Sequence, residues 1–505
     1  MEHLSFQASI ESALGYDRLE HYRQSLRVVS HGHRNGAVLP TVLVVEPDPL
    51  DFLAATIAAI EVQAPVILGN PQWSVTEWQG LAAMHLLNPD HGDQIWGQSP
   101  PVAFTPDFPP KSPLPTGAIL IATGGSGGLL RFAHHTWDTL RAAVKGLQRS
   151  NLLPPRPLSA CCLLPLYHVS GFMQFVRSFL TQGDLILSSS GEILRLFEDL
   201  DFEDLDVDDL KVDDRERLEP TTRTPAQNIP RTRGAELLQA IAWETYALSL
   251  VPTQLHRFVT QLPPAGLDWL RRFGLIFVGG AALRDPLRQR ARALQLPLAP
   301  TYGMTETAGM VATLSPQAFL EGNDSVGRLL PHCQVQFVPP EEMSSSDPEQ
   351  EADQQPQNTP SGRIIIRSES LALGYYPPDR SGENGALRTN DRGWIGTDRF
   401  LYIAGRLDRV MITGGEKVHP EQIEAVLLGT GLLTDVAILG APHLEWGEQV
   451  VAFCVGVQDW EALKAIVLER LSPPQRPKVW IPLQTLPRND RGKILRAELL
   501  ALIPQ

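Results

Sequence analysis

From about residue 40 the chain alternates short, unbroken apolar runs with stretches of helical spacing. TVLVVEP, from Thr41, reads as a buried strand, and DFLAATIAAIE, from Asp51, carries its apolar residues at three- and four-residue intervals. APVILG follows as a further strand. GAILIATGG, ACCLLPL, DLILSS, YALSLVP and GLIFVGG repeat the pattern, most of them ahead of a helix-like segment. Continuous apolar strands bounded by Gly or Pro and alternating with amphipathic helices predict an α/β domain, with parallel-rich sheets flanked by helices.

Two stretches interrupt this rhythm. Residues 200–235 begin FEDLDVDDLKVDD and turn Thr-, Pro- and Arg-rich. Their acidic residues lack the glycine and spacing of a calcium loop, so a solvated, mobile insertion is expected. Residues 340–361 form a polar, proline-punctuated loop, also expected to be mobile. After about residue 408 the style changes: MITGGEKVHPEQIEAVL leads into DVAILGAP, VVAFCVGV, a helix and a polar tail. A large N-terminal domain, residues 1–407, is therefore expected to be followed by a small α+β C-terminal domain, residues 408–505.

Composition narrows the function class. A 505-residue chain with 43% hydrophobic and 20% charged residues suits a soluble protein of more than one core. A net charge of −14 speaks against a nucleic-acid partner, which needs a basic face. No run reaches the roughly 18 apolar residues of a membrane helix, and the N-terminus lacks a charged start followed by an apolar stretch. Four cysteines in this length make no disulfide framework, and Cys161 and Cys162 sit inside an apolar run as expected buried thiols. A cytoplasmic location is expected.

Four segments carry candidate chemistry. ILIATGGSGGLLRF places Thr123, Gly124, Gly125, Ser126 and Gly128 between a strand and the cation Arg131. A loop nearly free of side chains lets backbone N–H groups approach an anion, most often a phosphate. The spacing is not that of a Walker loop, and by itself the segment also fits a ligand-free hairpin. PTYGMTETAG offers the Tyr302 ring to a base, the Thr305 hydroxyl to a phosphate oxygen and the Glu306 carboxylate to Mg²⁺; a plain turn with a helix cap fits it too. From Leu387 to Glu424, Asp391 suits ribose hydroxyls, Arg406 ribose or phosphate, and Gly414 and Gly415 before Glu416 and Lys417 a close backbone approach; a hairpin with a surface salt bridge is the plainer alternative. Finally, LPRNDRGKILRAEL sets Lys493 on a glycine turn, where a solvent-exposed side chain is the default.

Taken together and in this order, these segments resemble the adenylate-forming acyl-CoA synthetases, a family that includes luciferases and nonribosomal-peptide adenylation domains. The resemblance runs from about residue 115 to the C-terminus. Gly127 and Leu130-Arg131 stand where the family has Ser/Thr and Pro-Lys, and Thr389-Asn390-Asp391 replaces Thr-Gly-Asp. The resemblance implies that ATP and a carboxylic acid give an acyl-adenylate, and that coenzyme A then displaces AMP. It implies Lys493 as the cation of the first step and Glu306 as the holder of Mg²⁺. The loop Thr123–Arg131 would grip the β- and γ-phosphates, and Gly280-Ala281-Ala282 with Tyr302-Gly303 would enclose the adenine. Asp391 would hold the ribose, assisted by Arg406. For the second step the small domain would rotate about Asp408, withdrawing Lys493 and presenting Gly414, Gly415 and Lys417.

PLYHVSGFMQF lies where the family shapes its acyl site, with His168 as the expected gate or substrate contact; a packed core histidine is the alternative. TGGSGGLLRFAHHTW and LSLVPTQLHRF resemble one branch, the o-succinylbenzoate–CoA ligases of menaquinone and phylloquinone biosynthesis. There the acid has a second carboxylate, for which Arg177, Thr253, Gln254 and His256 are candidates. Two other readings stand beside this one: a ligase for another aryl or short acyl acid, and a non-catalytic nucleotide-binding relative. The retention of Glu306, Asp391, Arg406 and Lys493 weighs against the last.

Overall fold

The computed structural model describes residues 16–31, 39–84, 86–87, 93–99, 114–123, 130–150, 157–199, 238, 241–338, 361–377, 385–413, 416–443, 446–489 and 492–503. The expected insertion at 200–235, residues 340–360 of the expected loop, and the glycines at 124, 125, 128, 414 and 415 lie outside them, as does Ser126. The chain forms two compact units. The first comprises residues 1–248, 303–310 and 368–387, the second residues 249–302, 311–367 and 388–505.

The first unit is built on strands β1 (Val42–Val45), β2 (Val66–Leu68), β3 (Gln94–Gly97), β4 (Ile119–Thr123), β5 (Arg131–His135) and β15 (Tyr375–Tyr376), in the spatial order β15-β5-β4-β2-β1-β3. β3, β1, β2 and β4 run parallel. Successive residues point to opposite faces, and both faces are covered. Val42, Val44, Val66, Leu68, Ile119 and Ile121 enter one core with the helices Tyr16–His31 and Pro49–Glu61. Leu43, Val45, Ile67, Leu120 and Ala122 enter a second with Trp73, Trp78 and Leu81. Burial on both faces is why these strands read as unbroken apolar runs. The pattern misses β5, which pairs antiparallel to β4 with Thr123 opposite Arg131. β15 then adds antiparallel to β5.

β6 (Ser159–Cys162) pairs parallel with β7 (Leu185–Leu187), and the helix Val169–Thr181 between them packs onto β6. Its entry is tightly drawn. A Cβ on Gly171 would stand 2.1 Å from the Pro165 carbonyl oxygen, so only glycine allows the PLYHVSG turn to close.

β8 (Tyr246–Leu250), β9 (Leu275–Val278), β10 (Leu298–Met304), β11 (Gly309–Thr313) and β12 (Arg328–Leu329), most of whose residues belong to the second unit, are neighbours in that order. β10 is longer than the expected PLAP segment and runs on through Tyr302. β13 (Cys333–Val338), β14 (Ser361–Ser368), β16 (Leu387–Ile395) and β17 (Leu401–Arg406) form a four-stranded sheet. The C-terminal domain has a largely antiparallel sheet, β19 (Glu416–Val418), β18 (Met411–Thr413), β21 (Gly447–Val455) and β20 (Asp435–His443), with β22 (Val479–Leu483) parallel to β21. Val436, Ile438, Val450 and Ala452 pack under the helices Pro420–Gly429 and Trp460–Arg470. Ala437, Leu439, Val451 and Phe453 form a second core with Leu486 and Leu499. The expected fold class, helix-flanked parallel-rich sheets followed by a small α+β domain, is what the chain adopts.

Gly171→Ala tests the tightness of the helix entry. It should lower the unfolding free energy by about 1–3 kcal/mol, through a forced backbone shift. Gly80→Ala, in the helix Val75–Ala83 with nothing within 4 Å of the new methyl, should raise it by up to about 1 kcal/mol. Urea midpoints of the two variants moving in the same direction would contradict the packing account.

Candidate active site

The turn Thr305–Thr307 is the best-anchored feature of the first unit. Each of its three carbonyls is taken by a donor from elsewhere in the chain. The Thr305 oxygen accepts from His135 Nε2 at 2.8 Å, the Glu306 oxygen from the Ala372 amide at 2.8 Å, and the Thr307 oxygen from the Ser370 hydroxyl at 2.9 Å. The fully buried Thr307 hydroxyl lies 2.6 Å from the Gly309 carbonyl and 3.0 Å from that of Met304, either of which can accept its proton. A Cβ on Gly303 would lie 1.8 Å from the Gly309 oxygen, which fixes glycine there.

The anchored backbone aims the Glu306 side chain. Its Oε1 accepts the Tyr375 hydroxyl at 2.8 Å, and the Arg131 guanidinium lies 3.4 Å over the Tyr375 ring. Burial, then the Glu306 charge and hydrogen bond, push the Tyr375 phenol far above its ordinary range, so it stays a donor. Thr123 ends β4 and directs its hydroxyl at the Arg131 carbonyl, 3.3 Å away. β4 and β5 pack against the turn, so Thr123, Arg131, Gly303, Thr305 and Glu306 are brought together. Tyr375 and His135 join them unforeseen. The only hint of Tyr375 is a Tyr-Tyr-Pro in a polar stretch, and His135 sits within RFAHHTW.

His135 is fully enclosed. Desolvation lowers its pKa to about 4, so the ring is neutral, and donation from Nε2 leaves Nδ1 as the acceptor 3.0 Å from the Thr139 hydroxyl. His168 is buried at the N-cap of the helix Val169–Thr181, with its ring edge-on to Tyr167 at 4.5 Å. Further along that helix the buried Arg177 comes within 3.6 Å of where a Cβ on Gly309 would lie. Desolvation lowers the Arg177 pKa to about 10, which leaves it charged at neutral pH.

A second cluster forms in the other unit. Asp391 on β16 is buried and faces Arg406 across the β16–β17 register. Its Oδ2 accepts the Tyr302 hydroxyl at 2.7 Å and its Oδ1 lies 3.4 Å from Arg406 Nη1. Arg406 also grips Asp408 with Nε at 2.8 Å and Nη2 at 2.5 Å. Burial pushes the Asp391 carboxyl up, against the opposing pull of the Tyr302 hydrogen bond and the positive charges of Arg406 and Lys493. Lys493 is thus electrostatically coupled to this carboxylate. The Gly280–Ala282 loop leaves β9 beside β10: a Cβ on Gly279 would lie 2.2 Å from Thr301 Oγ1, next to Tyr302, and Gly280 has φ +79°. Thr253 meets Gly492, Gln254 Oε1 accepts the Val251 amide at 3.1 Å, and His256 is exposed.

The donor set at Glu306 suits Mg²⁺, which takes one or two carboxylate oxygens and completes its shell with substrate phosphate and water. Among the described residues no group of three His, Cys, Asp or Glu gathers to hold a metal, and no helix is long and apolar enough to cross a membrane.

Comparison with known proteins fits this geometry. Residues 223–376 match the AMP-binding enzyme family and residues 422–493 the AMP-binding enzyme C-terminal domain. In these two segments the chain is similar to AMP-binding enzymes. A 2-succinylbenzoate–CoA ligase of Lactococcus lactis is 26% identical over 408 residues, 80% of this chain and 75% of its own. One from Geobacillus kaustophilus is 31% identical over 266 residues, so the match spans about half of that relative, 51%, and 51% of this chain. The o-succinylbenzoate CoA synthetase of Bacillus subtilis, solved with its acyl-adenylate intermediate, shares the fold with a TM-score of 0.68 at 20% identity, covering 95% of this chain and 92% of that one.

Two predictions follow from the anchored turn. Tyr375→Phe keeps the ring under Arg131 but removes the hydrogen bond to Glu306. ATP-dependent pyrophosphate release should fall about tenfold, with a higher Mg²⁺ requirement; an unchanged Mg²⁺ titration would reject the link. His135 binds a proton near pH 6.5 when unfolded and only near pH 4 when folded. The unfolded state therefore holds more protons between these values, and its share of stability is lost as pH falls from about 6.5 toward 4. Denaturation from pH 7.5 to 5 should show a shallower decline in His135→Gln than in the parent.

Proposed function

We propose that the chain is an AMP-forming 2-succinylbenzoate–CoA ligase, acting in menaquinone or phylloquinone synthesis. What supports this reading is the buried Asp391–Tyr302–Arg406 cluster, with the Tyr302 hydroxyl 2.7 Å and Arg406 3.4 Å from the Asp391 carboxylate, together with the similarity to 2-succinylbenzoate–CoA ligases.

A carboxylate attacking a phosphate brings anions together, and cations must offset the charge that gathers. In the first half-reaction a substrate carboxylate oxygen bonds to the α-phosphorus of ATP, the bond to the β-phosphate oxygen breaks and pyrophosphate leaves. Lys493 offsets charge on the carboxylate and α-phosphate oxygens. Thr305 donates its hydroxyl to a phosphate oxygen, and Arg131 with Thr123 and the glycine loop holds the outer phosphates. Asp391 accepts the ribose hydroxyls, with Arg406 in support. Tyr302 and Gly280–Ala282 enclose the adenine. Glu306 would hold Mg²⁺, whose chemistry is to neutralise phosphate charge. His168 borders the acyl site, and the buried Arg177 offers the cation that the second carboxylate needs.

In the second half-reaction the thiol of coenzyme A attacks the acyl carbon and AMP leaves with the acyl oxygen. The C-terminal domain rotates about Asp408 for this step, exchanging Lys493 for the Gly414-Gly415-Glu416-Lys417 loop. Such motions often limit turnover. Four free, buried cysteines, with ATP and coenzyme A as substrates, support a cytoplasmic location.

The test is a coupled assay of pyrophosphate release and CoA thioester formation with 2-succinylbenzoate against a panel of aryl and short acyl acids. Preference for another acid would overturn the substrate, and no release with any acid would overturn the enzyme. Lys493→Ala should slow acyl-adenylate formation about 100- to 1,000-fold while sparing thioester formation from preformed acyl-adenylate. Equal losses in both steps would contradict its role.

A further inference from the structure

Arg284 lies two residues beyond Ala282, in extended conformation at the N-cap of the helix Asp285–Ala293. Instead of facing solvent, its guanidinium reaches the C-terminal domain. Nη1 donates to Asp435 Oδ1 and to the Val436 carbonyl, both at 3.0 Å, and Nη2 to Glu424 Oε2 at 3.4 Å. The other Asp435 oxygen accepts Arg488 Nη2 at 2.8 Å, and Arg488 Nη1 donates at 2.8 Å to the carbonyl of Gly492. That residue precedes Lys493, whose amide donates to Asn489 Oδ1 at 2.9 Å. A continuous chain of hydrogen bonds thus runs from the nucleotide loop, through Arg284, Asp435 and Arg488, to the turn that bears the lysine.

A second, separate contact seats the same turn. Gly492 has φ +70° and lies so close to Thr253 that a Cβ would stand 2.5 Å from its hydroxyl oxygen. Glu424 stays in the C-terminal domain whatever Arg284 does, because its Oε1 accepts Arg409 Nη2 at 2.8 Å and the Ile438 amide at 3.0 Å. Asp435 likewise keeps Arg488. Arg284 is the member whose partners all belong to the other side of the contact, so its ion pairs must break if the C-terminal domain turns.

We propose that Arg284 and Asp435 form a releasable latch that seats the Lys493 turn for acyl-adenylate formation. Arg284 is a positioning residue: it acts through the Arg488–Gly492 turn and touches no reacting atom. The latch holds the first orientation and has no part in the second, so the two half-reactions must respond differently to its loss.

The latch can be tested without activity as well as with it. All four native cysteines are buried, so spin labels can be directed to Gln289→Cys and Glu469→Cys, both exposed sites. The parent should give one dominant distance, and Arg284→Gln should add a second population. For its enzymatic arm alone the inference rests on the ligase reading. There Arg284→Gln should slow pyrophosphate release with 2-succinylbenzoate about tenfold or more, while thioester formation from synthetic acyl-adenylate stays within about twofold. Arg284→Lys, which keeps the charge toward Asp435, should restore most of the loss. An unchanged distance distribution, or equal losses in both half-reactions, overturns the latch. A parent enzyme that releases no pyrophosphate overturns the ligase reading instead, and the distances then decide the latch alone.

Discussion

Three adjacent carbonyls, those of Thr305, Glu306 and Thr307, are held by a histidine, a backbone amide and a serine from widely separated positions. The geometry of the first unit's candidate site depends on this arrangement. A carboxylate proposed to meet a metal and a phosphate gains little from charge alone; it must already be in place when charge develops. A turn of three residues cannot hold its own direction, and here the surrounding sheet supplies it. The neutral state of His135 belongs to the same design. A buried imidazolium would donate from both nitrogens and would need a counter-charge, whereas the neutral ring meets Thr305 and Thr139 with one donor and one acceptor.

The second cluster rests on another constraint, a carboxylate buried among groups that only partly offset its charge. Asp391 has a phenol, a guanidinium shared with Asp408 and the field of Lys493. Burial raises its pKa in spite of them. Ribose hydroxyls bring further donors to such a group, so bound nucleotide would relieve part of the desolvation that folding imposed. The cation on the glycine turn also gains from the site, because a lysine alone at a surface turn has no reason to stay in one place.

Legibility followed physical cause. Strands buried on both faces are written as apolar runs, so β1, β2, β4 and β9 stood out at once. β5 did not: its His134 and His135 are buried polar residues, and one of them serves the turn. The sheet of β13, β14, β16 and β17 was seen only as a hairpin, since its strands mix buried and exposed positions. Motif residues of the candidate site were readable because backbone approach and charge demand particular residue types at short spacing. Tyr375 was not, standing 69 residues from Glu306 with no local pattern to mark it. Arg284 was hidden for the same reason, 151 residues from Asp435, and a cation at a helix N-terminus looks like an unfavourable surface charge.

The strength of a latch matters as much as its presence. An apolar contact of the kind that fills the cores around Val436 and Phe453 would hold one orientation too firmly to turn over. Ion pairs whose side chains remain 24–30% exposed, as for Arg284, Asp435 and Arg488, are weaker, each worth up to about 1 kcal/mol. A few of these bias an equilibrium without freezing it, since 1.4 kcal/mol already shifts a two-state ratio about tenfold. The C-terminal domain also has apolar cores of its own, so letting go of Arg284 does not unfold it. Reversible polar contact outside and apolar packing within is the division that a domain needs if it is to deliver a charge and then withdraw it.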